Sequence, residues 1–168
     1  MKRWLWLLAA AVMLAAGAWI FQKLFPGDEK VIRQTLVDVE RYASFNAEEK
    51  PLSRLANVQK LASFFTEDVV IRLSFDEDSP RAIEGRETLK QAAMGARSAM
   101  SSLRLEMLEP RMQIAPDRSS ATVLLALKVY PSDGDLQVQE IRLRLRKVEK
   151  RWFIERVDAV KNQNFKRL

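Results

Sequence analysis

Apolar positions follow two different periods along the chain and predict its elements. Three stretches repeat every three to four residues, which predicts amphipathic helices over about residues 28–45, 51–65 and 85–100. Asp28 offers a carboxylate to cap the first helix, and Pro51 suits the first turn of the second. Each predicted helix has one apolar face, so all three need a common surface on which to pack.

The remaining apolar positions have the alternating or continuous patterns of strands. The predicted strands are residues 69–75, 81–84, a strand from 103, and residues 121–130, 138–148 and 151–160. Pro110 implies an edge position or a bulge. Asp133-Gly134 predicts a hairpin turn with positive φ values, and Glu149-Lys150 a two-residue turn. This order predicts an α+β fold, with three helices on one face of a curved, mostly antiparallel sheet.

An apolar run without a charge precedes these elements, from Trp4 to Phe21, and Lys2-Arg3 stands before it. A helix over residues 4–21 is about 27 Å long, which predicts a transmembrane anchor in the inner membrane with a cytoplasmic N-terminus. The alternative is a signal peptide cleaved near Ala16-Gly17-Ala18. Both interpretations place the domain outside the bacterial cytoplasm: in the periplasm or at the cell exterior when anchored, or secreted after cleavage.

These patterns divide the chain into an anchor or signal peptide, one α+β domain and a basic tail: residues 1–27, 28–161 and 162–168. The composition then removes much chemistry, because the chain has no His and no Cys. Ser-His triads, His general bases and thiolate metal sites are excluded. Asp76-Glu77-Asp78 is better interpreted as a solvated turn than as a cation site, since neighbouring side chains diverge. We therefore expect no metal and no cofactor.

Three local signatures resemble the nuclear transport factor 2-like superfamily, which includes the SnoaL-like polyketide cyclases and the ketosteroid isomerases. They are Leu61–Val69, Ile83–Leu89 and Lys150–Ile154. The resemblance covers about residues 28–161. It implies a cone-shaped roll whose open end can hold a pocket, and it implies frequent dimerisation. Members of the superfamily include enzymes, ligand binders and scaffolds, so the resemblance does not decide the function.

An enzyme of this superfamily needs an acid and a base in its cone, and a carboxylate in an apolar pocket can serve without any His. Four polar residues near the predicted core are candidate pocket residues: Tyr42, Asp68, Arg72 and Tyr130. Each also has a structural interpretation, on a helix face, at a strand end or on the exposed side of a strand. No pair of them is singled out by spacing as catalytic.

Charge placement is the clearest feature of the sequence. Residues 138–168 include ten basic and four acidic residues, and this excess equals the whole net charge of +6. Arg142, Arg144 and Arg146 alternate with apolar residues, so period two places the three guanidiniums on one face of the sheet. This face is either a solvated surface with ion pairs, for example through Glu155, or a surface that binds anions.

We therefore expect a membrane-tethered, exported module that binds a small ligand or a protein without catalysis. The alternatives are a pocket enzyme of the cyclase, isomerase or hydrolase type that uses carboxylate or Tyr acid–base chemistry, and a structural dimerisation domain of an envelope complex. Expected partners are the inner membrane through residues 4–21, an anionic lipid, an anionic polymer or an acidic protein, and a second copy of the chain. Nucleic acid is not expected, because no aromatic residue interleaves the arginines.

Overall fold

The computed structural model describes residues 27–73 and 81–160 of the 168-residue chain. Its helices are α1 (Asp28–Ala43), α2 (Pro51–Ala62) and α3 (Arg86–Ala99). Its strands are β1 (Phe65–Leu73), β2 (Arg81–Glu84), β3 (Leu103–Ile114), β4 (Ser120–Pro131), β5 (Gln137–Val148) and β6 (Arg151–Ala159). These elements form the predicted α+β architecture, three helices on a curved six-stranded sheet.

Three of the sequence predictions fall outside the described residues. They are the membrane anchor over residues 4–21, the Asp76-Glu77-Asp78 turn and the basic tail over residues 162–168. Within residues 27–73 and 81–160, no helix combines the length and the apolar character that crossing a membrane requires. The anchor, and the localisation inferred from it, remain predictions.

The sheet is mixed, and its strand order is β2-β1-β6-β5-β4-β3. Five neighbouring pairs exist, and four of them are antiparallel; β1 and β6 run parallel, with Ile71 opposite Val157. The last strand of the described chain therefore lies in the middle of the sheet and joins the β1–β2 pair to the β3–β4–β5 meander. The three helices cover one face of this sheet, which we call the inner face.

The core forms where α1 packs on the inner face. Ile32, Leu36 and Val39 are spaced three to four residues apart and are buried, as the helical period requires. They meet the buried apolar residues of β4, β5 and β6, among which Val123, Ile141, Leu145 and Ile154 are almost fully enclosed. Burial removes the apolar surface of each such side chain from water and stabilises the fold by roughly 1.5–3 kcal/mol.

Asp28 does not cap α1, contrary to the sequence prediction. The N-cap residue is Gly27, and no side chain makes a capping hydrogen bond there. The buried Asp28 carboxylate instead accepts hydrogen bonds from Lys147 Nζ at 2.6 Å, Arg118 Nε at 2.7 Å and Trp152 Nε1 at 3.1 Å. The hydrogen bond from Lys147 is the main cause that lowers the pKa of Asp28 to about 2. Asp28 therefore ties the start of α1 to the sheet.

Two predicted boundaries and one predicted turn differ from the structure, and the first boundary is the end of α2, which lies at Ala62 rather than near residue 65. β1 begins at Phe65, four residues before the predicted Val69, because Phe65 pairs with Ile154 of β6 and is buried. The β4–β5 hairpin forms, but Gly134 has no positive φ. The predicted two-residue turn Glu149-Lys150 is confirmed, and it has the positive φ values, 48° and 70°. The loop between β4 and β5 is longer than two residues, so Gly134 does not need a positive φ.

The interpretation of Pro110 is confirmed on both counts. It lies in β3, which is an edge strand, and the β3–β4 register shifts between Leu108 and Arg111. Gly85 has a separate structural role, with φ of 85° and ψ of 149°, a conformation that side-chain-bearing residues rarely adopt. Its amide donates to Val69 O at 2.7 Å, and its carbonyl accepts from Leu89. Gly85 thereby links β1 to the start of α3.

Candidate functional site: an apolar cavity under α3

A cavity of about 570 Å³ lies between α3 and the inner face of the curved sheet. The strands contribute Ile71, Leu73, Ile83, Leu105, Leu127 and Val129 to its wall. The helices contribute Leu61, Leu89, Ala92, Ala93 and Ala96. The volume falls within the range of roughly 300–1,000 Å³ that is usual for small-molecule sites. An apolar wall of this kind favours an apolar occupant, since water gains few hydrogen bonds there.

Small residues on α3 leave this space open. Ala92 and Ala93 precede Ala96 by four and three positions, so all three lie on the side of the helix that faces the cavity. On α1, by contrast, the equivalent face carries Ile32 and Leu36, which fill the space against the sheet. The sheet curves so that β1 and β2 on one side and β3 and β4 on the other contribute to the same cavity.

Arg97 is the single charged residue among the described residues that line the cavity. Its side chain is only 1% exposed, and each of its three nitrogens has a partner. Nε donates to Glu49 Oε2 at 3.1 Å, Nη2 to the carbonyl oxygen of Tyr42 at 2.6 Å, and Nη1 to that of Ala93 at 3.3 Å. The guanidinium also lies over the ring of Phe45, 4.9 Å from its centroid. Arg97 thus holds the end of α1 and the following loop against α3.

Glu49 is the counter-ion of Arg97, and it lies in the connection between α1 and α2. Its side chain is 8% exposed. Oε1 accepts a hydrogen bond from Asn57 Nδ2 at 2.7 Å, and Oε2 is 4.0 Å from Arg54 Nε. Because a buried charge without a partner costs several kcal/mol, Glu49 and Arg97 depend on each other. Glu49 itself does not line the cavity.

The described wall of the cavity offers no acid–base pair. A guanidinium has only donor N–H groups and no acceptor atom, and the nitrogens of Arg97 already donate to Glu49, Tyr42 and Ala93, so Arg97 is not placed as a general base. The other described lining residues are aliphatic or aromatic. This part of the site can therefore enclose an apolar molecule, and it presents no group that would exchange a proton with that molecule.

Two of the sequence-predicted pocket residues, Tyr42 and Tyr130, are half-buried and engaged elsewhere. The ring of Tyr42 stacks on Phe64 at a centroid distance of 6.0 Å, and only its carbonyl reaches Arg97. The hydroxyl of Tyr130 donates to Glu106 Oε2 at 3.2 Å, on the outer face of the sheet. Neither residue is in the wall of the cavity.

The other two, Asp68 and Arg72, are exposed on β1. Asp68 Oδ1 is 3.3 Å from Arg146 Nη2. Arg72 lies opposite Asp158 of β6 in the sheet register. The structure does not bring the four predicted residues together, and a ligand contact by any of them remains a prediction.

The predicted arginine face on β5 is confirmed as a geometric arrangement. Arg142, Arg144 and Arg146 are exposed, and the apolar residues between them are buried. Arg146 pairs with Asp68 and, at 3.4 Å, with the predicted partner Glu155. Arg142 and Arg144 form no ion pair within the part of the chain that the structure describes. Anion binding by this face remains a prediction.

Sequence reasoning did not identify Arg97 or Glu49. A signal for Arg97 was present, because it follows Leu89 and Ala93 at intervals of four and therefore falls on the apolar face of its helix. A charge on such a face requires a buried partner. Nothing in the sequence pattern pointed to Glu49, which stands 48 positions earlier in a polar connection.

Comparison with protein-family models finds no match for this sequence, and comparison with curated proteins finds none either. Comparison with solved structures does find similar folds. A protein from Kribbella flavida is 14% identical, with a TM-score of 0.63 over 79% of this chain and 89% of the other. A protein named as a candidate scytalone dehydratase from Novosphingobium aromaticivorans is 13% identical, with a TM-score of 0.60 over 79% and 82% of the two chains.

A third similar structure is described as an NTF2-like protein of unknown function from Pseudomonas putida. It is 12% identical, with a TM-score of 0.60 over 84% of this chain and 92% of the other. At these identities the similarity shows the fold alone. The chain therefore has the nuclear transport factor 2-like fold that the sequence signatures implied.

Proposed function

We propose that this protein is a non-catalytic binding module that holds an apolar small molecule in the cavity under α3. The observation that carries the proposal is the apolar wall of the 570 Å³ cavity, in which Arg97 is the one charged described residue. Burial of an apolar ligand there gains the free energy of removing both surfaces from water. The cavity has the size of a binding site, and the described part of its wall has the apolar chemistry of one without an acid–base pair.

The enzyme alternative requires at least two converging polar groups in the cavity. Arg97 is one such group, but its nitrogens are already held by Glu49 and by backbone carbonyls. One of the similar structures is named as a candidate dehydratase, and that name supports a pocket in this fold rather than a reaction in this chain. The apolar wall therefore favours binding over catalysis.

A cavity-filling variant tests the proposal. The full-length chain is placed in phosphatidylcholine nanodiscs and titrated with 1-aminoanthracene, a neutral dye that brightens in apolar surroundings, with empty nanodiscs as the blank. Ala96→Trp places an indole in the cavity wall and should weaken dye binding by at least about tenfold, which corresponds to about 1.4 kcal/mol. Ala99→Trp is the matched control, because Ala99 is exposed on the same helix and does not line the cavity.

Circular dichroism first establishes that both tryptophan variants retain the fold. Equal dye binding by the unchanged chain and Ala96→Trp, with both folded, would contradict the proposal. No saturable binding by the unchanged chain above the nanodisc blank would contradict it as well.

A second role is supported by the unpaired arginines on the outer face. We propose that Arg142 and Arg144 bind an anionic partner, because both guanidiniums are exposed and neither forms an ion pair with another described residue. The double variant Arg142→Ser/Arg144→Ser should elute from a heparin column at lower salt than Lys30→Ser/Arg41→Ser. The control pair lies on exposed positions of α1 and removes the same charge. Equal elution of the two variants would refute a specific anion site on β5.

A further inference from the structure

The charge of Arg97 is the feature that decides what kind of molecule the cavity accepts. An arginine in an apolar pocket is usually the group that binds the carboxylate of an amphipathic ligand. Here the Arg97 side chain is 1% exposed, so a molecule in the cavity reaches almost none of the guanidinium. Its nitrogens point to Glu49 and to the carbonyls of Tyr42 and Ala93.

Glu49 compensates this charge from outside the cavity. Its carboxylate lies 3.1 Å from Arg97 Nε and is itself 8% exposed. The second cation nearby, Arg54, is 4.0 Å from Glu49, its side chain is 31% exposed, and it does not line the cavity. Because Arg54 lies outside the wall, the one charge that a ligand meets among the described lining residues is that of Arg97, which is paired with Glu49 and almost fully buried.

An anionic ligand would consequently be penalised. Its carboxylate would lose its hydration without gaining a hydrogen-bond partner, and an apolar site does not offset that loss. The charge of Arg97 offers little compensation, because its counter-ion Glu49 lies 3.1 Å away and its side chain is 1% exposed. An uncharged ligand of the same shape does not meet this penalty.

We infer that the cavity selects uncharged apolar molecules over anionic amphiphiles, and that the Glu49–Arg97 pair sets this preference. The inference rests on the proposed binding function and names its ligand class. It also assigns Glu49 a role in specificity: this residue cancels the one charge in the described wall without touching the ligand.

The test compares two photoreactive probes that share one chain and differ in the head group, a medium-chain diazirine fatty acid with an anionic carboxylate and its uncharged methyl ester. Full-length chain in phosphatidylcholine nanodiscs is irradiated with each probe at about pH 8, where the acid is ionised. Mass spectrometry then measures labelling of peptides from α3. We expect the ester to label α3 at least about tenfold more than the acid. We also expect Ala96→Trp to remove the labelling by the ester, and Ala99→Trp to leave it unchanged.

Glu49→Gln then removes the compensating charge and keeps the shape of the side chain. The amide oxygen can still accept from Arg97, and Asn57 can reverse its own amide to accept from the new donor. This variant should raise labelling by the acid several-fold and leave labelling by the ester nearly unchanged. Glu48→Gln is the matched control, because Glu48 is exposed and adjacent in sequence.

The outcomes separate the two proposals. Equal labelling of α3 by acid and ester in the unchanged chain would overturn the preference for uncharged ligands and leave the binding function standing. No labelling of α3 by either probe would overturn the binding function as well. A folded Glu49→Gln variant that labels like Glu48→Gln would refute the role of Glu49. If Glu49→Gln fails to fold, the ratio of acid to ester labelling in the unchanged chain still decides the ligand class.

Discussion

The three hydrogen bonds that the Asp28 carboxylate accepts lead to a prediction about stability, and the structure gives its magnitude. Replacing Asp28 with Asn keeps the size of the side chain and removes its charge. The carboxylate now holds Lys147, Arg118 and Trp152 at 2.6, 2.7 and 3.1 Å. Lys147 and Arg118 are 25% and 66% exposed and can turn to water when the charge is lost, whereas Trp152 is buried. We therefore expect Asp28→Asn to lower the free energy of unfolding by less than the roughly 3–5 kcal/mol that breaking a fully buried ion pair costs.

The lowered pKa gives the magnitude and its dependence on pH. The pKa of Asp28 falls from 3.8 to about 2 on folding, which corresponds to about 2 kcal/mol of stability. Because the folded pKa is the lower one, this contribution is fully present above about pH 4 and is lost as the pH falls towards about 2. The Asp28→Asn variant should thus be about 2 kcal/mol less stable than the unchanged chain at pH 7, and this difference should shrink in acid.

Urea unfolding followed by far-ultraviolet circular dichroism, at a series of pH values from 7 to about 2.5, measures this difference. Glu29→Gln is the control, because Glu29 is the next residue, is exposed and, among the described residues, pairs with Arg33 four positions away. We expect it to change the free energy of unfolding by less than about 0.5 kcal/mol. Equal stability of Asp28→Asn and Glu29→Gln at pH 7 would refute the reasoning. A deficit of Asp28→Asn that stays constant down to about pH 2.5 would refute the role of the lowered pKa.

Three further predictions concern the backbone and the N-terminal segment. Gly85→Ala should lower the free energy of unfolding by about 1–3 kcal/mol, because φ at Gly85 is 85°. Gly95→Ala should raise the free energy of unfolding by up to about 1 kcal/mol, because alanine favours the middle of a helix over glycine; urea unfolding midpoints measure both effects. Glu149→Asn/Lys150→Gly should raise thermal stability, because φ is positive at both positions, and an unchanged or lower melting temperature would contradict that. Residues 4–21 should keep the full-length chain in the membrane pellet after alkaline carbonate extraction, and release into the supernatant would refute the predicted anchor.

Patterns with a short period were enough to predict most of the fold. The alternation around Arg144 placed its face correctly, and Pro110 marked an edge strand with a register shift. These features depend on neighbours in the sequence, so local reasoning reached them. The parallel pairing of Phe65 with Ile154 depends on residues 89 positions apart, and no local pattern encodes it. The start of β1 was therefore predicted four residues too late.

The candidate site was less accessible to sequence reasoning than the fold. Tyr42 and Asp68 were predicted as pocket residues because they are polar and lie near predicted core elements. The cavity instead exists because Ala93 and Ala96 are small. Empty space depends on how elements pack, and sequence does not display it directly. Arg97 could have been found from its apolar helix face, but its meaning depends on the distant Glu49. The charge balance of the site is thus a property of the tertiary structure.

The central position of β6 has a consequence for how the chain reaches its folded state. β6 is the last strand of the described chain, yet it lies between β1 and β5 in the sheet. Phe65 of β1 therefore has no strand-pairing partner on that side until Ile154 of β6 is in place. Contacts between such distant residues make folding slow, because a long loop must close before they form. During synthesis β1 and β2 therefore stand apart from the meander, and the sheet becomes continuous only after residues 151–159 have emerged. A chain that loses this one strand should separate into two incomplete sheets, so the continuity of the whole sheet depends on residues 151–159.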